Sequence, residues 1–177
     1  MPYETNDLED LARRIDEAFP ALGADERRIA LAVFREMGAG RPARARAIAA
    51  RAGAEPRAVR EALATWPGVY TDEQGRVVGF WGLALDGMPH PIRVGERTLY
   101  GWCAWDTLFL GELLGDEIRV ESSCAATGRP VTLTVGARGV RKLDPKTAVI
   151  SFLDPECADV ERDRVISTFC HHILFFS

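Results

Sequence analysis

Up to Trp66 the apolar residues recur at helical spacing, and beyond it the pattern gives way to a hairpin turned on polar residues and glycine. That switch limits the fold more than any other feature. LEDLARRIDEAF (8–19) and DERRIALAVFREMGAG (25–40) carry the helical pattern, the second opening on an acidic cap and closing on glycines. RPARARAIAARAGAEPRAVREALATW (41–66) reads as two short helices broken around Gly53, with Pro56 suited to the first turn of the second. GVYTDEQGRVVGFWGLAL follows as a hairpin turning over 72–75. Helices followed by a hairpin predict a three-helix, winged-helix-like module over residues 1–86.

DGMPHPIRVGERTLYG reads as a proline- and glycine-bearing connector with one short strand, which places the module boundary near 86–91. WCAWDTLFLGELLG has helical spacing ending at Gly115, and EIRVESS, VTLTV and TAVISFL read as strands. CAATGRP is a turn, and a loop is expected around Asp144 and Pro145. DPECADVERDRVISTFC is expected to be partly helical, and HHILFF suits a short strand. Residues 87–177 should therefore form a small mixed or antiparallel sheet domain with helices, making the chain α+β.

Composition excludes several classes. With 47% apolar and 27% charged residues the chain is neither disordered nor membrane-embedded, and no apolar run reaches membrane-spanning length. The polar, acidic start lacks the regions of a signal peptide, so a cytoplasmic protein is expected. Its four cysteines, Cys103, Cys124, Cys157 and Cys170, include no CxxC pair. In a reducing compartment they should remain free thiols, able to bind a soft metal.

WCAWDTLF sets Cys103 and Asp106 three residues apart among large apolar side chains. A carboxylate there costs desolvation energy unless compensated, and a thiol beside it is either packing or a soft-metal ligand. On a helix, positions three apart share a face, so both groups can reach one site. Cys124 and Cys170 lie at segment ends that can converge with Cys103, but the spacing matches no structural zinc site. His171 and His172 add imidazoles that suit zinc or copper, or are ordinary strand and surface residues.

Three blocks in order, LYGWCAWDTLFL, VESSCAATGRPVTLTV and ADV…STFCHHILFF, resemble the organomercurial lyases (alkylmercury lyases), and residues 70–85 resemble the segment before that family's first cysteine block. The resemblance implies protonolysis of a carbon–mercury bond, giving a hydrocarbon and Hg(II). It implies Cys103 and Cys170 as mercury ligands, Asp106 as proton donor and further mercury contact, and Cys124 in a supporting, structural role. No organic cofactor is implied; an external thiol would keep the cysteines reduced and accept Hg(II), and a mercuric reductase would take it onward in mercury detoxification. Trp102, Trp105 and Tyr100 would line the space for the organic group or pack the core. Against the family's pattern the chain stops short, without a further strand and helical segment, which would leave the site open or a sheet edge unpaired. Cys157 matches no family cysteine and reads as a spare thiol or an accessory ligand.

Two rival readings come from other classes. Between Arg27 and Arg60 nine arginines face only Glu36 and Glu55, a net +7 within a chain of net charge -4, so a metal-responsive winged-helix regulator of DNA is one. Glu55 and Glu61 cancel Arg57 and Arg60 on its recognition helix, and arginine outnumbers lysine 20 to 2 along the chain, which makes the excess partly a compositional bias and argues against nucleic acid. The other is a non-catalytic thiol protein that traps mercury or copper.

Overall fold

The computed structural model describes Arg13, residues 21–152 and residues 170–177. The helix expected over 8–19 (Arg13 apart), the partly helical segment expected from 154 up to Cys170, and Cys157 lie outside the described residues.

Helix α1 (Ala24–Met37) starts where Glu26 reaches back to accept the Gly23 N–H at 2.8 Å, and its acidic first turn and basic last turn suit the helix dipole. It buries Ile29, Val33, Phe34 and Met37 on one face. α2 (Ala45–Ala52) and α3 (Pro56–Thr65) are separated at Gly53, whose φ of 63° ends α2 in a left-handed cap, and Pro56 opens α3 as expected. Ion pairs join Arg51 to the largely buried Glu36 and, exposed on the surface, Arg57 to Glu61, across and along these helices.

The hairpin follows as β1 (Val69–Thr71) and β2 (Val77–Phe80), its turn built on Asp72, which accepts the N–H groups of Gln74 and Arg76 and pairs with the Arg76 guanidinium. β3 (Leu83–Ala84), β4 (His90–Val94), β5 (Arg97–Gly101), β6 (Ile118–Ser123), β7 (Pro130–Gly136) and β8 (Gly139–Asp144) complete one eight-stranded sheet in the order β1-β2-β3-β5-β4-β6-β7-β8. Every neighbouring pair is antiparallel. Hydrogen bonding runs from β3 to β5 across position 86, joining the hairpin to the strands that follow. β9 (Val149–Ile150) and β10 (Phe175–Phe176) pair separately.

Four expectations change. The segment read as a connector with one strand is a complete hairpin at the centre of the sheet. His90, Ile92, Val94 and Leu99 face the core, and pairing with β6 begins only at Ile92, so Pro91 lies beyond that ladder. The residues leading into the loop expected around Asp144 and Pro145 form β8, an edge strand exposed along nearly its whole length, and of TAVISFL only Val149–Ile150 is strand among the described residues. WCAWDTLFLGELLG is not one helix. A turn over 102–105 leads into a 3-10 turn (Asp106–Leu108) and then the short α4 (Leu110–Leu114). The Asp106 carboxylate takes the Cys103 N–H, and the Thr107 hydroxyl donates to the Ala104 carbonyl at 2.6 Å, bonds that compete with helix formation.

The core lies between the inner face of the sheet and α1 with α4. Ile92, Leu99, Ile118 and Leu133 are fully or almost fully buried there. An aromatic run from Phe34 through Phe80 to Trp81 and Trp66 ties the helices to the first hairpin. Each fully buried aliphatic or phenylalanine side chain of this core contributes about 1.5–3 kcal/mol. Among the described residues no helix is long and apolar enough to cross a membrane.

Candidate active site

β5 delivers the chain into the site. Gly101 ends the strand, and the next residues turn inward because their backbone amides find partners in other segments. Trp102 N–H donates to the Gly82 carbonyl at 2.9 Å, and Ala104 N–H donates to the Ile173 carbonyl at 3.0 Å. The second bond is the link to Cys170, since Ile173 closes the 3-10 turn that Cys170 opens, donating to the Cys170 carbonyl at 3.2 Å. Two segments 67 positions apart in the chain, at Cys103 and Cys170, are thereby held side by side.

As a result Cys103, Asp106 and Cys170 each point one ligand atom into a common space, all within 4.8 Å of one another. All three are buried, Asp106 at 7% exposure. Cys103 and Asp106 are brought together by a turn: the Asp106 Oδ2 accepts the Cys103 N–H at 2.9 Å, where the sequence suggests one face of a helix. Burial raises the Asp106 carboxyl to about 6, although hydrogen bonds from Cys103 oppose the rise. The Cys103 thiol is pushed far up, first by its hydrogen bond with Cys170, then by burial and by the negative charge of Asp106. The Cys103 thiol therefore keeps its proton until a soft cation, for which sulfur is the preferred donor, displaces it.

The other sequence-derived candidates lie elsewhere. Cys124 is buried at the end of β6, its Sγ 3.7 Å from the Ser177 carbonyl, and stands apart from the trio. His171 and His172 are exposed on the Cys170 turn. Trp102 is buried, and Trp105 packs edge-on against Phe109 and Phe152. Tyr100 alternates to the face opposite Leu99 and Gly101.

Two further groups join the neighbourhood. Tyr70, from β1, meets Trp102 edge-on at 5.4 Å, and its hydroxyl is raised by burial and by the nearby Cys170. Only the register of the first hairpin, which sets Tyr70 opposite Gly79, brings it there. His90 is buried on β4 with Nδ1 2.7 Å from the Ser122 hydroxyl and its ring edge-on to Phe175, while Nε2 has no hydrogen-bond partner among the described residues. Burial lowers it to about 4, so it is neutral. Reading its segment as a connector hides it; the alternation His90, Ile92, Val94 is the signal that reveals an inward histidine.

The family model described as alkylmercury lyase matches residues 83–177. The chain is 43% identical over 130 residues to an alkylmercury lyase of Staphylococcus epidermidis, an alignment covering 73% of this chain and 58% of the relative. It is 39% identical to one from Pseudomonas putida (82% and 66%) and 38% identical to one from Streptomyces lividans (94% and 76%). The chain thus spans 58% and 66% of the length of the first two relatives. A solved structure described as the mercury-bound form of MerB2 superposes with a TM-score of 0.68 at 25% identity, covering 89% of this chain and 76% of that one. With a family match over more than half its length and relatives near 40% identity, this chain belongs to the alkylmercury lyase family.

Proposed function

We propose that this protein is an organomercurial lyase that cleaves the carbon–mercury bond of alkyl- and arylmercury cations by protonolysis. The substrate arrives as a thiol adduct. One cysteine displaces the carrier thiolate, which leaves with that cysteine's proton, and the other gives its proton to Asp106 as it binds, so that Cys103 and Cys170 both hold mercury as thiolates. Donation from two sulfurs makes the mercury-bound carbon basic. Asp106 then gives its proton to that carbon; the electron pair of the C–Hg bond becomes the new C–H bond, the hydrocarbon leaves, and Hg(II) remains on the two sulfurs. External thiol accepts Hg(II) and restores the site, with a mercuric reductase as the onward acceptor in the cytoplasm.

The convergence of two thiols and one buried carboxyl within 4.8 Å carries this reading. A carboxyl raised to about 6 suits it further, because such a group both accepts and returns a proton near neutral pH. Cys124 supports the fold at the end of β6. Residues 1–86 act as a winged-helix-like scaffold and not as a DNA reader, in keeping with the ion pair that occupies Arg57 with Glu61.

The test is headspace gas chromatography after mixing reduced protein with phenylmercury and excess small thiol. Several equivalents of benzene per protein are expected. Mercury retained on the protein with no benzene would make it a thiol trap and overturn the catalytic reading.

A further inference from the structure

We propose that Gly82 is a positioning residue for proton transfer: its bare Cα is the wall against which the Asp106 carboxyl is set. The proposal rests on the lyase reading for its functional part and on geometry alone for its structural part.

Gly82 is the second residue of the two-residue turn between β2 and β3, where Phe80 pairs with Leu83. Both turn residues have positive φ, 38° at Trp81 and 93° at Gly82. Turns of this kind favour Asn-Gly, so a tryptophan in the first position is strained and needs outside support. The support is present on both sides. Trp81 N–H donates to the Gly68 carbonyl at 3.3 Å, its indole N–H donates to the Pro67 carbonyl at 2.7 Å, and its ring stacks on Phe80 with centroids 4.4 Å apart. From the other side Trp102 N–H donates to the Gly82 carbonyl at 2.9 Å. The turn is thus clamped between the exit of α3 and the turn that carries Cys103.

What the clamp holds in place is the backbone of Gly82 against Asp106. A Cβ at position 82 would lie 2.5 Å from Oδ1, 2.6 Å from Cγ and 3.0 Å from the Cβ of Asp106, closer than carbon and oxygen can approach. Oδ2 is held by the Cys103 N–H. One oxygen is hydrogen-bonded and the other packs on glycine, so the carboxyl cannot turn without breaking a bond or moving the hairpin. Sequence spacing hides this, since Gly82 reads as one more hairpin glycine and lies just ahead of the stretch that the family model matches.

Gly82→Ala is the test, made in two backgrounds. In wild type the added methyl must displace the carboxyl, while in Asp106→Ala most of the obstruction is gone. The melting temperature should fall in wild type and by less than half as much in Asp106→Ala. Backbone strain at φ 93° acts equally in both, so equal losses would overturn the proposal. If Gly82→Ala fails to fold, a folded double variant supports the contact; failure of both assigns the loss to strain and overturns it.

For function, Gly82→Ala should bind one inorganic Hg(II) at Cys103 and Cys170 as wild type does, read from thiolate–mercury absorbance. It should release benzene about a hundredfold more slowly in a single turnover, the scale of loss for a misplacement of about 1 Å. Unchanged benzene release would overturn the positioning role. A wild type that releases no benzene would overturn the lyase reading instead, leaving the melting comparison as the measure of the contact.

Discussion

Cys103 and Cys124 are the same residue type, almost equally buried at 0% and 2% exposure, yet their surroundings push them in opposite directions. Cys103 is driven far above the ordinary thiol range by its hydrogen bond with Cys170, by burial and by Asp106. Cys124 is drawn down to about 6, chiefly by the Thr127 hydroxyl, with hydrogen bonds from Ser177 and the Thr127 backbone outweighing the cost of burial. Low exposure alone therefore does not decide a thiol's proton affinity here; the groups facing the sulfur and the depth of protein around it do. A thiolate favoured by donors is satisfied where it is. A thiol held protonated beside a second thiol and a carboxyl has a ligand partner and somewhere to send its proton, and that is the arrangement mercury chemistry needs.

The largest effect should come from exchanging sulfur for oxygen at each position. Cys103→Ser should lower benzene release by on the order of a thousandfold or more, because in the proposed reaction it removes a soft ligand on which every later step depends. Cys124→Ser should stay within about tenfold of wild type and keep the same Hg(II) stoichiometry, as expected of a residue acting through packing. Comparable losses at the two positions, measured by single-turnover gas chromatography, would erase the distinction between the two thiols.

A smaller effect concerns Asp106 and stability. Its carboxyl titrates near 6 in the folded protein, against 3.8 as the ordinary value. Below 3.8 both states are protonated, so nothing is lost. As pH rises from there through 6 the unfolded chain ionises first and the fold loses stability, by about 3 kcal/mol in full. Asp106→Asn should remove this loss, so urea unfolding of the variant relative to wild type should show its advantage growing from pH 4 to pH 6 and level above it. The difference between the two proteins is the quantity to read, because His90, lowered to about 4 from 6.5, costs stability in the opposite direction as pH falls. A difference that does not change with pH would mean that Asp106 is not held protonated, and with it the contrast to Cys124 would weaken.

Much of this was legible before any coordinates, and the parts that were not share a cause. The breaks at Gly53 and Pro56 and the Asp72 turn were readable because capping and turn chemistry are local. The approach of Cys103 to Asp106 was expected, but on a helix; the structure uses a turn, because a side-chain carboxylate competing for a backbone amide leaves no trace in apolar spacing. β8 escaped because an exposed edge strand has no apolar face to display. Tyr70, His90 and Gly82 escaped because their places depend on strand register and on what lies across from them, which spacing within one segment does not encode. The alliance of Cys103 with Cys170 required the Ala104–Ile173 hydrogen bond, a contact between segments far apart in sequence. Segment ends left Cys124 and Cys170 equally open as partners of Cys103, and only the resemblance to a family chose Cys170.

The smallest predicted effect tests the other half of the comparison. If the Thr127 hydroxyl is the main group lowering Cys124, Thr127→Val should move that thiol up from about 6 toward the ordinary thiol range while leaving benzene release unchanged. Ultraviolet absorbance of the thiolate, followed with pH and taken as the difference between wild type and variant, isolates the step from the other cysteines. The sign follows from charge: the hydroxyl donates to the thiolate and has less to offer the neutral thiol, so its loss favours the protonated form. A step that stays near 6 would transfer the effect to the hydrogen bonds of Ser177 and the Thr127 backbone. Cys124 would then be a thiol set by backbone geometry, and no side-chain substitution nearby would convert its environment into that of Cys103.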